Sequence, residues 1–283
     1  MVSRIVLILI AVALAGCGSG ATGNNTVVAA FYPLAFATER IAPRAHVEDL
    51  TPRGAEPHDL ELTPRAVARI ERATVVLYLG HGFQPAVSDA LKNASGVKVD
   101  VLQGLPLHSA AGQETGLTAD PHVWLDPVLF ERIVRRIGAA APGPVHSAPL
   151  LTDLRALDRA YRTGLANCSR HNFVTSHAAF GYLAQRYGLR QVAITGLTPE
   201  SEPSPKQLAH VVKLVRRTHA TTVFFERLVS PRLADTVARE VGAQTAVLDP
   251  IEGLTPSEQK RGENYLTLMR ENLAALRKAL ACH

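Results

Sequence analysis

Beyond residue 25 the chain alternates between two hydrophobic periods. Short β-branched or apolar runs at 26–31, 47–50, 74–79 and 97–101 read as strands, and stretches of helical periodicity at 34–41, 64–71 and 84–92 lie between them. Thr63-Pro64 marks one helix start, with threonine as the cap and proline in the first turn. A further helix is predicted to follow Asp126 and run to about residue 140, with Asp126 as its cap and Pro127 at the first helical position. Pro142-Gly143-Pro144 and Pro149 then break the pattern.

After this break Leu150, Leu154, Leu157, Tyr161 and Leu165 repeat at helical spacing, one apolar face of a helix connecting two halves. The second half repeats the grammar of the first. Strands are predicted at 172–175, 191–194, 221–225 and 245–248, and helices at 178–187, 206–217, 232–240 and 258–281. Strands alternating with helices imply an α/β fold with mostly parallel sheets. The expected division is an N-terminal lobe over 26–146, a connecting helix over 147–167 and a C-terminal lobe over 168–283.

The first 25 residues stand outside that scheme. Arg4 precedes an unbroken apolar run at 5–13, too short to span a bilayer but suited to a signal peptide. The run ends in Leu14-Ala15-Gly16-Cys17, which resembles a bacterial lipoprotein cleavage site. That resemblance implies removal of residues 1–16, acylation of Cys17 and a flexible tether over 17–25, which places the protein outside the cytoplasm on a lipid anchor. Loss of Arg4 takes the net charge from +5 to +4. Without a basic run or aromatic-basic interleaving, nucleic-acid binding is not expected. Of the three cysteines, Cys168 and Cys282 remain, and an exported compartment permits a disulfide between them.

Candidate chemistry appears where the strands end, the position at which α/β sheets bind ligands. His58 follows the second strand, and His122 sits in Asp120-Pro121-His122-Val123-Trp124-Leu125-Asp126-Pro127, a turn stiffened by its prolines. His177 follows the strand at 172–175, and Asp249 follows the one at 245–248. Three imidazoles and a carboxylate suit a tetrahedral Zn2+ sphere. Each half contributes two of them, so the metal would sit in the cleft between the lobes. His177 is also expected to begin a helix capped by Ser176, whose dipole would favour the neutral, metal-binding imidazole.

These residues lie in four motifs: Gly54-Ala55-Glu56-Pro57-His58-Asp59-Leu60-Glu61-Leu62-Thr63-Pro64, the Asp120–Pro127 stretch quoted above, Ser176-His177-Ala178-Ala179-Phe180-Gly181-Tyr182, and Leu248-Asp249-Pro250. Together they resemble the ZnuA-like solute-binding lipoproteins of bacterial zinc/manganese ABC importers. The resemblance implies two α/β lobes joined by one rigid helix, and His58, His122, His177 and Asp249 as metal ligands. It also implies delivery of Zn2+ to an ABC permease by a monomeric, non-enzymatic carrier. Manganese-selective relatives tend to carry glutamate where this chain has His177, so Mn2+ is the alternative metal. Many zinc members have a long histidine-rich loop before the second ligand, whereas residues 106–119 hold only His108, Glu114 and a few polar groups.

Glu226, Glu56 and His81 are candidates for supporting positions around the metal. An adhesin or zinc chaperone on the same fold is a competing reading, as is a zinc hydrolase. The hydrolase reading has no HExxH helix and no Gly-x-Ser-x-Gly elbow to support it.

Overall fold

The computed structural model describes residues 25–110, 116–199 and 203–283. The expected signal segment, Cys17 and the tether up to residue 24 lie outside the described residues, as does Glu114. No helix among the described residues is long and apolar enough to cross a membrane.

The first half builds β1 (Thr26–Ala29), α1 (Tyr32–Ile41), β2 (His46–Asp49), α2 (Pro64–Arg72), β3 (Val75–Tyr78), α3 (Pro85–Ala90) and β4 (Val97–Asp100). Its four strands form a parallel sheet in the order β2-β1-β3-β4. Two helices follow, α4 (Pro127–Ala140) and α5 (Ala148–Gly164). The second half contains β5 (Asn172–Thr175), α6 (Gly181–Arg186), β6 (Arg190–Ala193), α7 (Pro205–Thr218), β7 (Thr222–Phe225), α8 (Arg232–Val241) and β8 (Gln244–Val247). Its sheet, also parallel, has the equivalent order β6-β5-β7-β8. The chain closes with α9 (Pro256–Lys260) and α10 (Tyr265–Leu280).

Parallel sheets need cover on both faces. Val28, Ile70, Val76 and Val87 pack the outer side of the first sheet, and Val174, Val223 and Val237 that of the second. The inner sides share one apolar cluster that runs from Phe31 and Trp124 through Phe130 and Tyr161 to Phe173 and Tyr265. Leu150, Leu154, Leu157 and Tyr161 of α5 are buried, and the helix packs against α4 and α10. Hydrogen bonds reinforce this seam. Trp124 Nε1 donates to the Pro250 carbonyl at 2.7 Å, and the Tyr265 hydroxyl donates to the Trp124 carbonyl at 2.5 Å. A continuous apolar interface of this kind restrains the lobes against free hinging.

Two predicted helices differ in extent. The stretch 258–281 is divided, because Gly262 takes φ +73° and Asn264 caps a new helix by accepting from the Leu266 and Thr267 N–H groups. The stretch 178–187 begins later, at Gly181. Beyond α10, Cys282 is bonded to Cys168, and the Ser169 N–H donates to the Ala281 carbonyl at 3.2 Å.

Candidate metal centre

The loop after β2 brings His58 to the lobe boundary. Gln84 Nε2 holds that loop by donating to the Pro57 carbonyl at 3.1 Å, and Phe83 packs edge-on to the His58 ring. His122 is fully buried, and Asp120 Oδ1 accepts from both its backbone N–H at 3.0 Å and its Nδ1 at 2.7 Å. Four residues on, Asp126 accepts from the Val128 N–H at 2.9 Å and starts α4.

His177 lies in the turn between β5 and α6 and does not start the helix. Ser176 Oγ donates to Glu226 Oε1 and does not cap, and the same Glu226 oxygen accepts from His177 Nδ1 at 2.7 Å. The carboxylate of Glu226, not a helix dipole, therefore sets the orientation of this ring. In the neutral form that binds metal, with Nδ1 donating to the neighbouring carboxylate on both His122 and His177, each Nε2 presents a lone pair inward. Those two nitrogens are 3.3 Å apart.

The fourth group at the centre is Glu252. Its Oε1 lies 3.3 Å from His58 Nε2, 3.1 Å from His122 Nε2 and 3.8 Å from His177 Nε2. One donor atom from each of the four residues lies within 4.8 Å of the others, and all four side chains are buried. Tetrahedral Zn2+ with bonds of about 2.0–2.1 Å separates its donors by roughly 3.3 Å. Inward lone pairs on facing nitrogens repel unless a cation or proton lies between them, so the donor set suits a divalent metal.

Asp249 is not at the centre. Its Oδ2 accepts from Arg227 Nη1 at 3.0 Å and its Oδ1 from the Ile251 N–H at 2.7 Å. The second contact closes a tight turn in which Ile251 takes φ +58°, a conformation that β-branched residues rarely adopt. The turn directs Glu252 inward and leaves Asp249 against Arg227. Asp249, expected among the converging donors, is separated from the cluster by this reversal, and Glu252 stands there with His58, His122 and His177. The aspartate side chain closing its own turn is a recognisable local signal, and Glu252 is the next acid along the chain.

The other candidates divide. Glu226 orients His177. Glu56 Oε1 accepts from the His58 N–H at 3.1 Å, beside the centre but outside the four converging donors. His81 is exposed with φ +60°, and its Nδ1 pairs with Thr118 Oγ1 at 2.9 Å, away from the cluster. His108 stacks on Tyr182 with ring centroids 4.0 Å apart and pairs with Gln185, so it bridges the lobes and does not reach the site.

Charge is arranged unevenly at the centre. Burial lowers the pKa of His58, more than Glu252 raises it. Burial also opposes the charge on His122, but Asp120 and Glu252 outweigh it and hold the imidazole up at about 9. Burial alone would raise Glu252, yet hydrogen bonds and charge from His122 and His58 bring it well below the usual carboxylate range. Burial pushes Glu56 up to about 10, assisted by the neighbouring Glu252 charge. Asp249 rises to about 7, again chiefly through burial and despite Arg227.

Three imidazoles and one carboxylate, buried where two parallel-sheet lobes meet, define a class of two-lobed proteins with a metal-type donor cluster at the lobe boundary. Within that class the chain belongs to the ZnuA family, described as zinc-uptake complex component A periplasmic, which matches residues 27–279. The high-affinity zinc uptake system protein ZnuA of Bacillus subtilis strain 168 is 33% identical over 298 residues, covering 94% of this chain and 93% of that protein. The zinc-binding lipoprotein AdcA of Streptococcus pneumoniae serotype 4 is 36% identical over 302 residues, which cover 98% of this chain but 60% of AdcA. Among solved structures, the Zn(II)-bound ZnuA-like domain of S. pneumoniae AdcA superposes with a TM-score of 0.75 at 36% identity, covering 91% of this chain and 99% of the domain. The laminin-binding protein Lmb of Streptococcus agalactiae, described as bifunctional in adhesion and metal transport, gives a TM-score of 0.80 at 28% identity over 91% of this chain and 99% of Lmb.

Proposed function

We propose that this protein captures Zn2+ outside the cytoplasm and delivers it to an ABC importer permease, holding the ion with His58, His122, His177 and Glu252. The observation that carries the reading is the convergence of these four buried donors on one point. Asp120 and Glu226 fix the tautomers of two of the imidazoles, the usual arrangement around zinc-binding histidines. Three nitrogens and one carboxylate favour Zn2+, whereas Mn2+ prefers more oxygen and higher coordination. Four protein donors complete a tetrahedral sphere, which suits a carrier better than a hydrolase needing an open position.

Anchoring through an acylated Cys17, with the soluble part monomeric, completes the proposal. It rests on the Leu14-Ala15-Gly16-Cys17 sequence and on the lipoprotein designation of AdcA. Metal analysis of protein purified without chelator, followed by competition titration with Zn2+ and Mn2+, tests the central reading. Stoichiometric zinc and tighter Zn2+ than Mn2+ binding are expected, and tighter Mn2+ binding overturns the assignment. The description of Lmb supports a second role in adhesion. Rescue of a deletion strain by added zinc separates transport from that role.

A further inference from the structure

Asp120 turns its carboxylate to His122, and both of its backbone polar groups are taken by two residues outside the donor cluster. The Asp120 N–H donates to the His108 carbonyl at 2.9 Å, and the Asp120 carbonyl accepts from the Tyr182 hydroxyl at 2.8 Å. The same hydroxyl accepts from the His108 N–H at 2.9 Å. The His108 ring lies flat on the buried Tyr182 ring, with centroids 4.0 Å apart and planes 5° from parallel. Its Nε2 pairs with Gln185 Oε1 at 2.5 Å, and its Nδ1 is 3.9 Å from Asp120 Oδ2. Gly181 lets α6 approach this closely, since a Cβ there would meet Asp120 Oδ2 at 3.2 Å and His108 Nδ1 at 3.5 Å. Tyr182 and Gln185 belong to α6, in the half of the chain opposite to the one that supplies His108 and Asp120.

We propose that His108 and Tyr182 are positioning residues for zinc: they form a clasp across the lobe boundary that fixes Asp120, and through it His122, and so slows release of the ion. The inference rests on the zinc-binding reading above and concerns how one donor is kept in place. With its N–H and carbonyl both bonded, Asp120 cannot pivot in its loop, and its Oδ1 is left to accept from His122 Nδ1 at 2.7 Å. Such a bond weakens steeply once its angle is disturbed. A ligand ring must be held to within about 0.5 Å, which its supporting hydrogen bonds accomplish only if they are themselves rigid. The Tyr182 hydroxyl is rigid because its ring is buried and covered by His108. Because the hydroxyl comes from the opposite lobe, His122 is held fully only while the lobes are docked. Contacts present in the bound state act chiefly on dissociation.

Release of zinc from the loaded full chain into excess chelator tests the clasp. Tyr182→Phe, which keeps the ring and loses the hydroxyl, should release zinc about 3- to 10-fold faster, the effect of losing one buried hydrogen bond. His108→Ala, which removes the stacked ring, should also accelerate release. In an Asp120→Asn background, Tyr182→Phe should add nothing, because residues acting through one partner are not additive. The Nδ1–H signals of His122 and His177 in zinc-loaded protein labelled with 15N-histidine give a second readout, one that a packing role alone would not move. Tyr182→Phe should shift the His122 signal and leave that of His177, which Glu226 holds. Release at the wild-type rate in Tyr182→Phe overturns the clasp and leaves the four-donor centre intact. So does an equal acceleration in the Asp120→Asn background, an unmoved His122 signal, or an equal shift at His177. Absence of zinc binding by the wild type would overturn the centre and the clasp together.

Discussion

Arg227 Nη1 donates to Asp249 Oδ2 at 3.0 Å, and the same nitrogen donates to Glu258 Oε1 at 2.7 Å. The guanidinium also reaches Glu271 through Nη2. This fork occupies Asp249 and leaves the inward position to Glu252. The two acids are three residues apart, yet one serves the fold of the turn and the other the centre.

That division gives opposite outcomes for two substitutions. Glu252→Ala should weaken zinc binding by well over tenfold while the protein still folds, because it removes a donor. Asp249→Asn should change zinc affinity less and lower stability by about 1–3 kcal/mol, since it disturbs a buried turn and its charged partner. Chelator competition and thermal melts of both variants compare the two effects. A larger affinity loss in Asp249→Asn would reverse the assignment.

Asp120 and Glu226 act on zinc through the rings they hold. Asp120→Asn and Glu226→Gln should each reduce zinc affinity by about 10- to 100-fold, the usual cost of removing such a partner. Competition titration checks this. Affinity unchanged in both variants would mean that neither carboxylate orients its ring in the bound state.

Zinc binding should release protons near neutrality. His122 is charged in the metal-free protein up to about pH 9 and must lose its proton to coordinate. Affinity is therefore expected to fall as pH drops below 9. Calorimetry at pH 7.5 in buffers of different ionisation enthalpy should find about one proton released per ion from this residue. Uptake of a proton, or no exchange, would contradict a charged His122.

The same shift predicts the pH dependence of the chelated protein. A histidine whose folded pKa is raised contributes stability that is complete below its unfolded value of about 6.5. That contribution is lost as pH rises through about 9. Melts with chelator should show the His122 contribution declining across this window, and in His122→Gln the decline should be smaller. Equal slopes for the two proteins would remove His122 as its source.

The Cys168–Cys282 bond ties the C-terminus to the segment before β5 across a sequence separation of 114 residues. Closing a loop of that length restricts the unfolded chain, and its reduction should cost about 2–4 kcal/mol. Denaturant titration with and without reductant measures this. Thiol titration of the unfolded, unreduced protein should find neither Cys168 nor Cys282 free.

The elements were legible along the chain because each carries its own period. β-branched runs such as Val75 to Tyr78 could only be strands between covered faces, and the leucines of α5 mark one helical stripe. His58, His122 and His177 were legible for a related reason. Each follows a strand or a proline-stiffened turn, so local sequence carries it to the ends of the sheets where the lobes meet. The fourth donor was different. Asp249 stands where a strand ends, but its fate depends on Arg227, which donates to its carboxylate, and on Asn272, whose amide accepts from its backbone N–H at 2.9 Å and donates to its carbonyl at 2.6 Å, both remote in sequence. Only folding brings these partners together, and with the left-handed turn at Ile251 they decide that Glu252 enters the centre. The division of labour between Glu226 and a helix dipole at His177 was likewise tertiary, because the residue that follows β7 supplies the carboxylate from 49 residues away. Periodicity and turn chemistry are local properties that a sequence displays directly. Which of two nearby acids is left free to face a metal depends on long-range pairing, and only the packed molecule settles it.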